Sequence, residues 1–214
     1  MSGALQETIQ SDLIDSTGLR AHKNRTFTDR GAGEMDKGQY DEVRDVFGIS
    51  GALVLYRASA LNDIRFEDEF FDEDFFAYKE DVDIAWRLQR FGWDARFVPE
   101  AVAFHYRGMY SPEKIGIIAR IKNRRNKSKL RSYYSNRNQW LLLAKDLPFI
   151  DLLFAFVWIV PSEVGRFIYT LLFETKNIRA FIDAIKLSPR MWRKRLWIKK
   201  HQKRSAKELR KWFV

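Results

Sequence analysis

The 214-residue sequence contains no cysteine. That excludes a disulfide framework, a thiolate nucleophile and a cysteine-ligated zinc, and it fits a reducing compartment. Histidine is scarce, with three in the chain, and no second one lies near His105 to build a zinc site. There is no Walker phosphate loop, no dinucleotide fingerprint and no Gly-x-Ser-x-Gly elbow. The Asp72-Glu73-Asp74 cluster fails as a calcium loop, because Phe76 and Ala77 stand where an EF-hand needs a ligand and a glycine. The first fifteen residues lack a basic start and an apolar core, so no secretory leader is expected. Within the most apolar region, residues 147–173, the longest uncharged run is Leu152 to Ser162, 11 residues. A membrane-spanning helix needs about 20, so a segment lying in the membrane interface is the better expectation.

What is present is unevenly charged. Net charge is +10, and residues 190–214 hold 11 Lys and Arg against a single acid, Glu208. The remaining chain is neutral. Inside it, residues 62–83 carry ten acids and two bases, while residues 120–131 carry seven bases and no acid. A basic tail with Trp192, Trp197 and Trp212 can sit at an anionic membrane, bind nucleic acid, or be a solvated end. The apolar helices before it favour the membrane and make nucleic acid unlikely.

Pattern predicts the elements. Leu13-Ile14 suggests a short strand, and residues 20–40 a long Gly-punctuated loop. Ala52 to Tyr56 reads as a buried strand and Ala58 to Ile64 as a short helix. Glu80 to Phe91 reads as a helix, with Ile84, Leu88 and Phe91 on one face and Gly92 at the C-terminal cap. DARFV and AVAFH, on either side of Pro99-Glu100, read as strands. Helix follows from residue 111, with Pro148 and Pro161 breaking it, and a further amphipathic helix spans Asn177 to Leu187. Strands alternating with short helices indicate an α/β architecture.

Two groups could carry chemistry. Glu80, Asp81 and Asp83 fall in the first turn of a helix, where free N–H groups and the macrodipole stabilise negative charge. A carboxylate held there can act as a general base, or the three acids can simply favour the helix start. His105 ends an apolar run, where it can bind a metal or a phosphate or be a hydrogen-bonded core histidine. The pairs Gly31/Gly33 and Gly48/Gly51 can bring backbone close to a ligand or merely make loops.

The order of motifs is more specific than any of them alone. Asp-Ser-Thr-Gly-Leu (15–19) and Arg-Gly-x-Gly (30–33) are followed by Val-Phe-Gly-x-Ser-Gly-Ala and Leu-Tyr-Arg (46–57). Phe-Asp-Glu-Asp-Phe-Phe-Ala-Tyr-Lys-Glu-Asp-Val-Asp (71–83), Trp-Arg-Leu, Gly-Trp, Pro-Glu-Ala and His (86–105), and Tyr-Tyr-x-x-Arg-Asn (133–138) complete the series. Over residues 12–146 this resembles the C-terminal half of glycosyltransferase family 2 enzymes of the rhamnosyltransferase-like kind, which have the Rossmann-like GT-A fold.

The resemblance implies an inverting transferase that moves a sugar from a nucleotide-diphosphate donor to a cell-envelope glycan or lipid-linked acceptor. It implies Asp81 as catalytic base, Glu80 as its support and His105 as a ligand of a divalent metal, Mg or Mn. It implies that Gly48, Ser50, Gly51, Asp83, Arg137 and Asn138 contribute to substrate binding. The domain plan it implies is an acceptor-side half in residues 1–110, a helical extension in 111–146, and apolar and amphipathic helices with a basic membrane-associating tail in 147–214. The Asp-x-Asp nucleotide-binding half has no counterpart in the sequence. The metal is therefore expected only with such a half; a shortened or split reading frame and a separate N-terminal partner chain are the alternatives. The expected location is cytoplasmic, peripheral on the inner face of the plasma membrane. The alternative is an inactive, truncated remnant that acts as a membrane-surface interaction protein.

Overall fold

The structure is a computed structural model and describes residues 12–105 and 129–214. Its strands are short. β1 (Leu19–Ala21) pairs antiparallel with β2 (Phe27–Asp29), and β3 (Arg44–Val46) pairs antiparallel with β4 (Ala95–Phe97). α1 spans Ala58–Ile64 and α2 spans Glu80–Arg90. Three long helices follow: α3 (Lys129–Asp146), α4 (Phe149–Phe173) and α5 (Ile178–His201). A short helix α6 (Ala206–Leu209), closed by a capping box between Ser205 and Glu208, leads to the C-terminus.

α2 forms where its sequence predicts. Acids occupy its first turn, Arg87 and Arg90 its last, and Gly92 follows with φ +90°, the left-handed value that a glycine accepts without strain. Val82, Ile84, Ala85 and Trp86 are all buried, so the helix is enclosed on more than one face. Trp86 lies within ring contact of Phe27, Phe47 and Phe213. These aromatics join β2, the end of β3, α2 and the C-terminus in one core, which Leu19 and Ala21 of β1 enter and which α3 extends through Leu141 and Leu142.

Several expectations give way. Ala52 to Tyr56 begins in a turn and a bend and forms no described strand, and Leu55 is 98% exposed. Strand pairing needs a neighbour for its backbone groups, and no described strand lies beside this run. AVAFH is likewise exposed, and Leu13 makes an isolated bridge to Met35. Pro161 does not divide the apolar region: α4 runs through it as one 25-residue helix, long and apolar enough to cross a membrane. α5 runs through Pro189 to His201, well beyond Leu187, because it packs along α3. Of the helix expected from residue 111, residues 111–128 lie outside the described residues, and helix is present from Lys129.

The basic tail is not a loose end. Val214 donates its N–H to Ala21 O at 3.1 Å, and Lys23 N donates to Val214 O at 3.1 Å, so the terminus closes against β1. The tail's cations meet the acidic segment that faces them. Lys194, 3% exposed, reaches Asp72 at 2.5 Å, Asp74 at 3.0 Å and Glu69 at 3.1 Å. Arg190 pairs with Asp74 at 2.9 Å, Lys203 with Asp63 at 2.9 Å and Arg204 with Asp94 at 2.9 Å. The acidic segment 62–83 and the basic tail thus meet through Arg190, Arg193, Lys194 and Lys203.

Candidate active site

The loop from Asp72 to Lys79 delivers the carboxylates of α2. Phe76, Tyr78 and Lys79 all have positive φ, at 59°, 66° and 71°. Non-glycine residues in that region cost of order 1 kcal/mol or more each and persist only where surroundings enforce them. Here α3 does so. Asn138, fully buried, donates from Nδ2 to the carbonyls of Phe75 (2.9 Å), Ala77 (2.8 Å) and Tyr78 (2.6 Å). Arg137 donates to Asp74 O at 2.5 Å and Phe75 O at 3.1 Å. Lys79 Nζ donates to Gln139 Oε1 at 2.5 Å, and Gln139 Nε2 continues to Arg25 O at 3.0 Å. Three consecutive residues of α3 therefore grip the loop that presents Asp81.

Asp81 is half-buried. Its Oδ2 accepts the Gly51 N–H at 3.2 Å and its Oδ1 the Val82 N–H at 2.8 Å. Burial pushes its pKa up, and the two backbone donors oppose the rise without cancelling it. Each oxygen keeps acceptor capacity beyond its one backbone bond. Glu80 is also raised, chiefly by burial, with Asp81 and Asp83 adding repulsion. Its Oε2 is buried with no hydrogen-bond partner among the described residues.

Asp83, expected among the substrate-binding residues, is instead fully buried, with Arg87 at 2.7 Å and Lys145 at 2.5 Å. It faces inward because it lies two positions from Asp81, about 200° around the helix axis. Lys145 also binds Asp72 at 2.6 Å, which ties α3 to both the loop and α2. Burial alone would raise Asp72, but Lys145 and then Lys194 overcome it and leave the group lowered to about 2.

The glycines separate by role. A Cβ on Gly48 would lie 2.3 Å from the Ala85 side chain, so this residue lets the 48–51 turn press against α2. Gly48 O in turn accepts the Leu19 N–H at 2.8 Å. Gly51 is exposed and serves through its N–H on Asp81, and Ser50 is half-exposed beside it. Arg137 and Asn138, expected to bind substrate, both spend donors on the Asp74–Tyr78 backbone.

His105 is half-exposed, and its Nδ1 lies 3.0 Å from Asp15 Oδ2. That pair offers two metal ligands. Among the described residues no group of three or more His, Asp or Glu is placed to hold a metal ion. These residues therefore do not complete a metal site themselves.

Two residues escaped the sequence reading. Tyr56 is raised above the ordinary phenol value by burial and then by Asp81, which places its ring in the field of the candidate base. Lys79 is lowered to about 7, by burial first and by Arg166 next. Both sit inside the motifs quoted above, but neither residue type at its position signals a shifted proton affinity.

Comparison with known proteins sets this geometry in context. The sequence model of the family described as Glycosyl transferase family group 2 matches residues 20–181. Two curated proteins, each an N-acetylglucosaminyl-diphospho-decaprenol L-rhamnosyltransferase of Mycobacterium tuberculosis (strains CDC 1551 / Oshkosh and ATCC 25618 / H37Rv), are 39% identical over 64 residues. The match covers 30% of this chain and 20% of each relative, so the chain aligns with about a fifth of their length. No solved structure matches. The family match takes in β2, β3, both carboxylate-bearing turns, all of α2, α3 and α4, and the start of α5; the chain belongs to the group 2 glycosyl transferases.

Proposed function

We propose that this chain carries the acceptor side of an inverting sugar transferase, with Asp81 as general base. The observation that carries the reading is the Asp81 carboxylate itself. It is half-buried, raised in pKa, fixed through both oxygens by the Gly51 and Val82 N–H groups, and mounted on a loop in an enforced backbone conformation. A base with a raised pKa and residual acceptor capacity suits removal of a hydroxyl proton.

In the proposed reaction Asp81 takes the proton of an acceptor hydroxyl as that oxygen attacks the anomeric carbon of the donor. The bond from that carbon to the diphosphate oxygen breaks on the opposite face, and its electron pair leaves with the nucleoside diphosphate. One displacement inverts the anomeric configuration. Glu80 and Tyr56 flank the base, and Lys79 supplies positive charge beside it. A divalent cation would neutralise charge on the leaving diphosphate. His105 with Asp15 would supply two of its ligands. The naming of the two relatives supports a lipid-linked glycan acceptor and an activated deoxysugar donor.

The reading is tested by supplying a nucleotide-diphospho-sugar and a polyprenyl-diphospho-glycan, then determining the anomeric configuration of the product by NMR. Inversion is expected. Retention would contradict a single displacement.

A further inference from the structure

α4 is built inside out. Its charged residues are Asp151, Glu163 and Arg166, and all three turn toward the protein. Asp151 is 1% exposed, with Arg210 at 2.7 Å; Glu163 is buried, with Arg166 at 3.2 Å. The outward face carries no charge and is apolar over its whole length: Leu153, Val157, Trp158, Val164, Ile168 and Leu172 are each about half or more exposed. A helix surrounded by water arranges itself the other way, with charge outward. A contiguous apolar face about 37 Å long at 1.5 Å per residue marks contact with an apolar phase.

We infer that this face is a membrane-docking surface: α4 lies in the plane of an anionic bilayer, with its outer side in the acyl region and its polar side on the protein. A cation stands beside the apolar strip, as phosphates at its edge would require. Lys23, exposed, stands 5.6 Å from the Trp158 ring. At the far end, Arg179 and Lys186 have largely exposed side chains and share a single acid, Asp183. This charge order favours anionic lipid over a neutral apolar partner.

α4 is also fastened along its length. Asp151 holds the first turns, Ser162 accepts from Asn24 at 3.1 Å in the middle, and Thr170 is buried near the end. A helix pinned at three levels to a polar body lies on a membrane and does not cross it, although its length would suffice. Of the eleven cations in the basic tail, expected to make the membrane contact, six form ion pairs within the protein: Arg190, Arg193, Lys194, Lys203, Arg204 and Arg210. The docking surface therefore moves from the tail to α4. Lys79 feels Arg166 and Glu163 of this helix, so α4 and the Asp81 loop are neighbours. On the transferase reading, docking would hold the acceptor's headgroup beside the base.

The test needs no transfer activity. The protein is floated with vesicles of phosphatidylcholine alone or mixed with phosphatidylglycerol. Flotation is expected with the anionic vesicles and is expected to weaken with salt. The double variant Leu153→Asp/Leu172→Asp should bind at least about tenfold more weakly, with an unchanged thermal midpoint because both side chains face outward. The chain has no native cysteine, so Leu153→Cys and Leu172→Cys each carry one environment-sensitive fluorophore. Both probes should shift to the blue on the same leaflet. Absence of flotation, undiminished binding of the double variant, equal binding to both vesicle types, or probes on opposite leaflets would each overturn the inference. So would a dimer that the same substitutions dissociate in the absence of vesicle binding, since the face would then belong to a second copy.

Discussion

At the scale of single residues, the chemistry rests on how the environment of Asp81 differs from that of its helical neighbour Asp83. The two acids are two positions apart in one turn. Asp81 meets backbone N–H groups and is raised by burial; Asp83 meets Arg87 and Lys145 and is lowered despite complete burial. A base is useful only if it can bind a proton transiently, and of the two Asp81 alone has that freedom. Lys79 tunes it. Its positive charge draws the Asp81 pKa down, against the larger effect of burial. Lys79→Gln removes that charge, so the acid limb of the pH profile of kcat/KM should move to higher pH. Lys79 itself titrates at about 7, so the difference between the variant and the wild type should fade as pH rises past that value. A pH–rate profile of both proteins checks this, and superimposable acid limbs would contradict it.

At the scale of elements, α3 acts as a brace. Asn138 satisfies three carbonyls of a loop whose backbone would otherwise relax out of the left-handed region. Asn138→Ala strands buried acceptors and should destabilise the fold by about 1–3 kcal/mol. It should also lower kcat more than it raises KM, because the loop carries the base and not a binding pocket. Denaturant titration and steady-state kinetics measure the two effects. This division of roles was only partly legible beforehand. The α2 boundaries, the acid-rich first turn and the Gly92 cap follow local rules, and the sequence pattern placed them correctly. The grip of Arg137 and Asn138 on residues 74–78 spans some sixty positions of sequence, and nothing local to Arg-Asn announces it. Ala52–Tyr56 misled for a related reason: its branched and aromatic content is a strand signal, but a strand exists only where another strand lies beside it. Pro161 misled because a proline's cost of about 3 kcal/mol can be met by tertiary packing, here along a face fastened at Asp151, Ser162 and Thr170.

At the scale of the whole molecule, the C-terminal third closes the structure. α5 lies along α3, Lys194 enters the acidic segment, and Phe213 joins the core around Trp86. The separation of charge between residues 62–83 and 190–214 was plain in the sequence; that the two meet was not, because charge counts carry no information about distance. Asp72 is the centre of that meeting, between Lys145 and Lys194. Asp72→Asn would leave two buried ammonium groups under-compensated and should cost about 3–5 kcal/mol. In the wild type the ionised form of Asp72 is favoured in the fold, with its pKa lowered to about 2. Its contribution to stability is therefore complete above the ordinary carboxylate value and is lost as pH falls from about 4 toward 2. Chemical denaturation of both proteins across that range should show the wild type losing its advantage; a pH-independent difference would contradict it.

The proposed chemistry turns on Asp81, and replacing Asp81 by Asn at the native locus tests it most directly. Transfer from a nucleotide-diphospho-sugar to the endogenous lipid-linked acceptor is then measured in membranes, alongside the thermal midpoint of the purified variant. Loss of a general base predicts a fall of about 10²–10⁴-fold in transfer with little change in stability. Transfer at the wild-type rate by a folded Asp81→Asn protein would contradict the assignment.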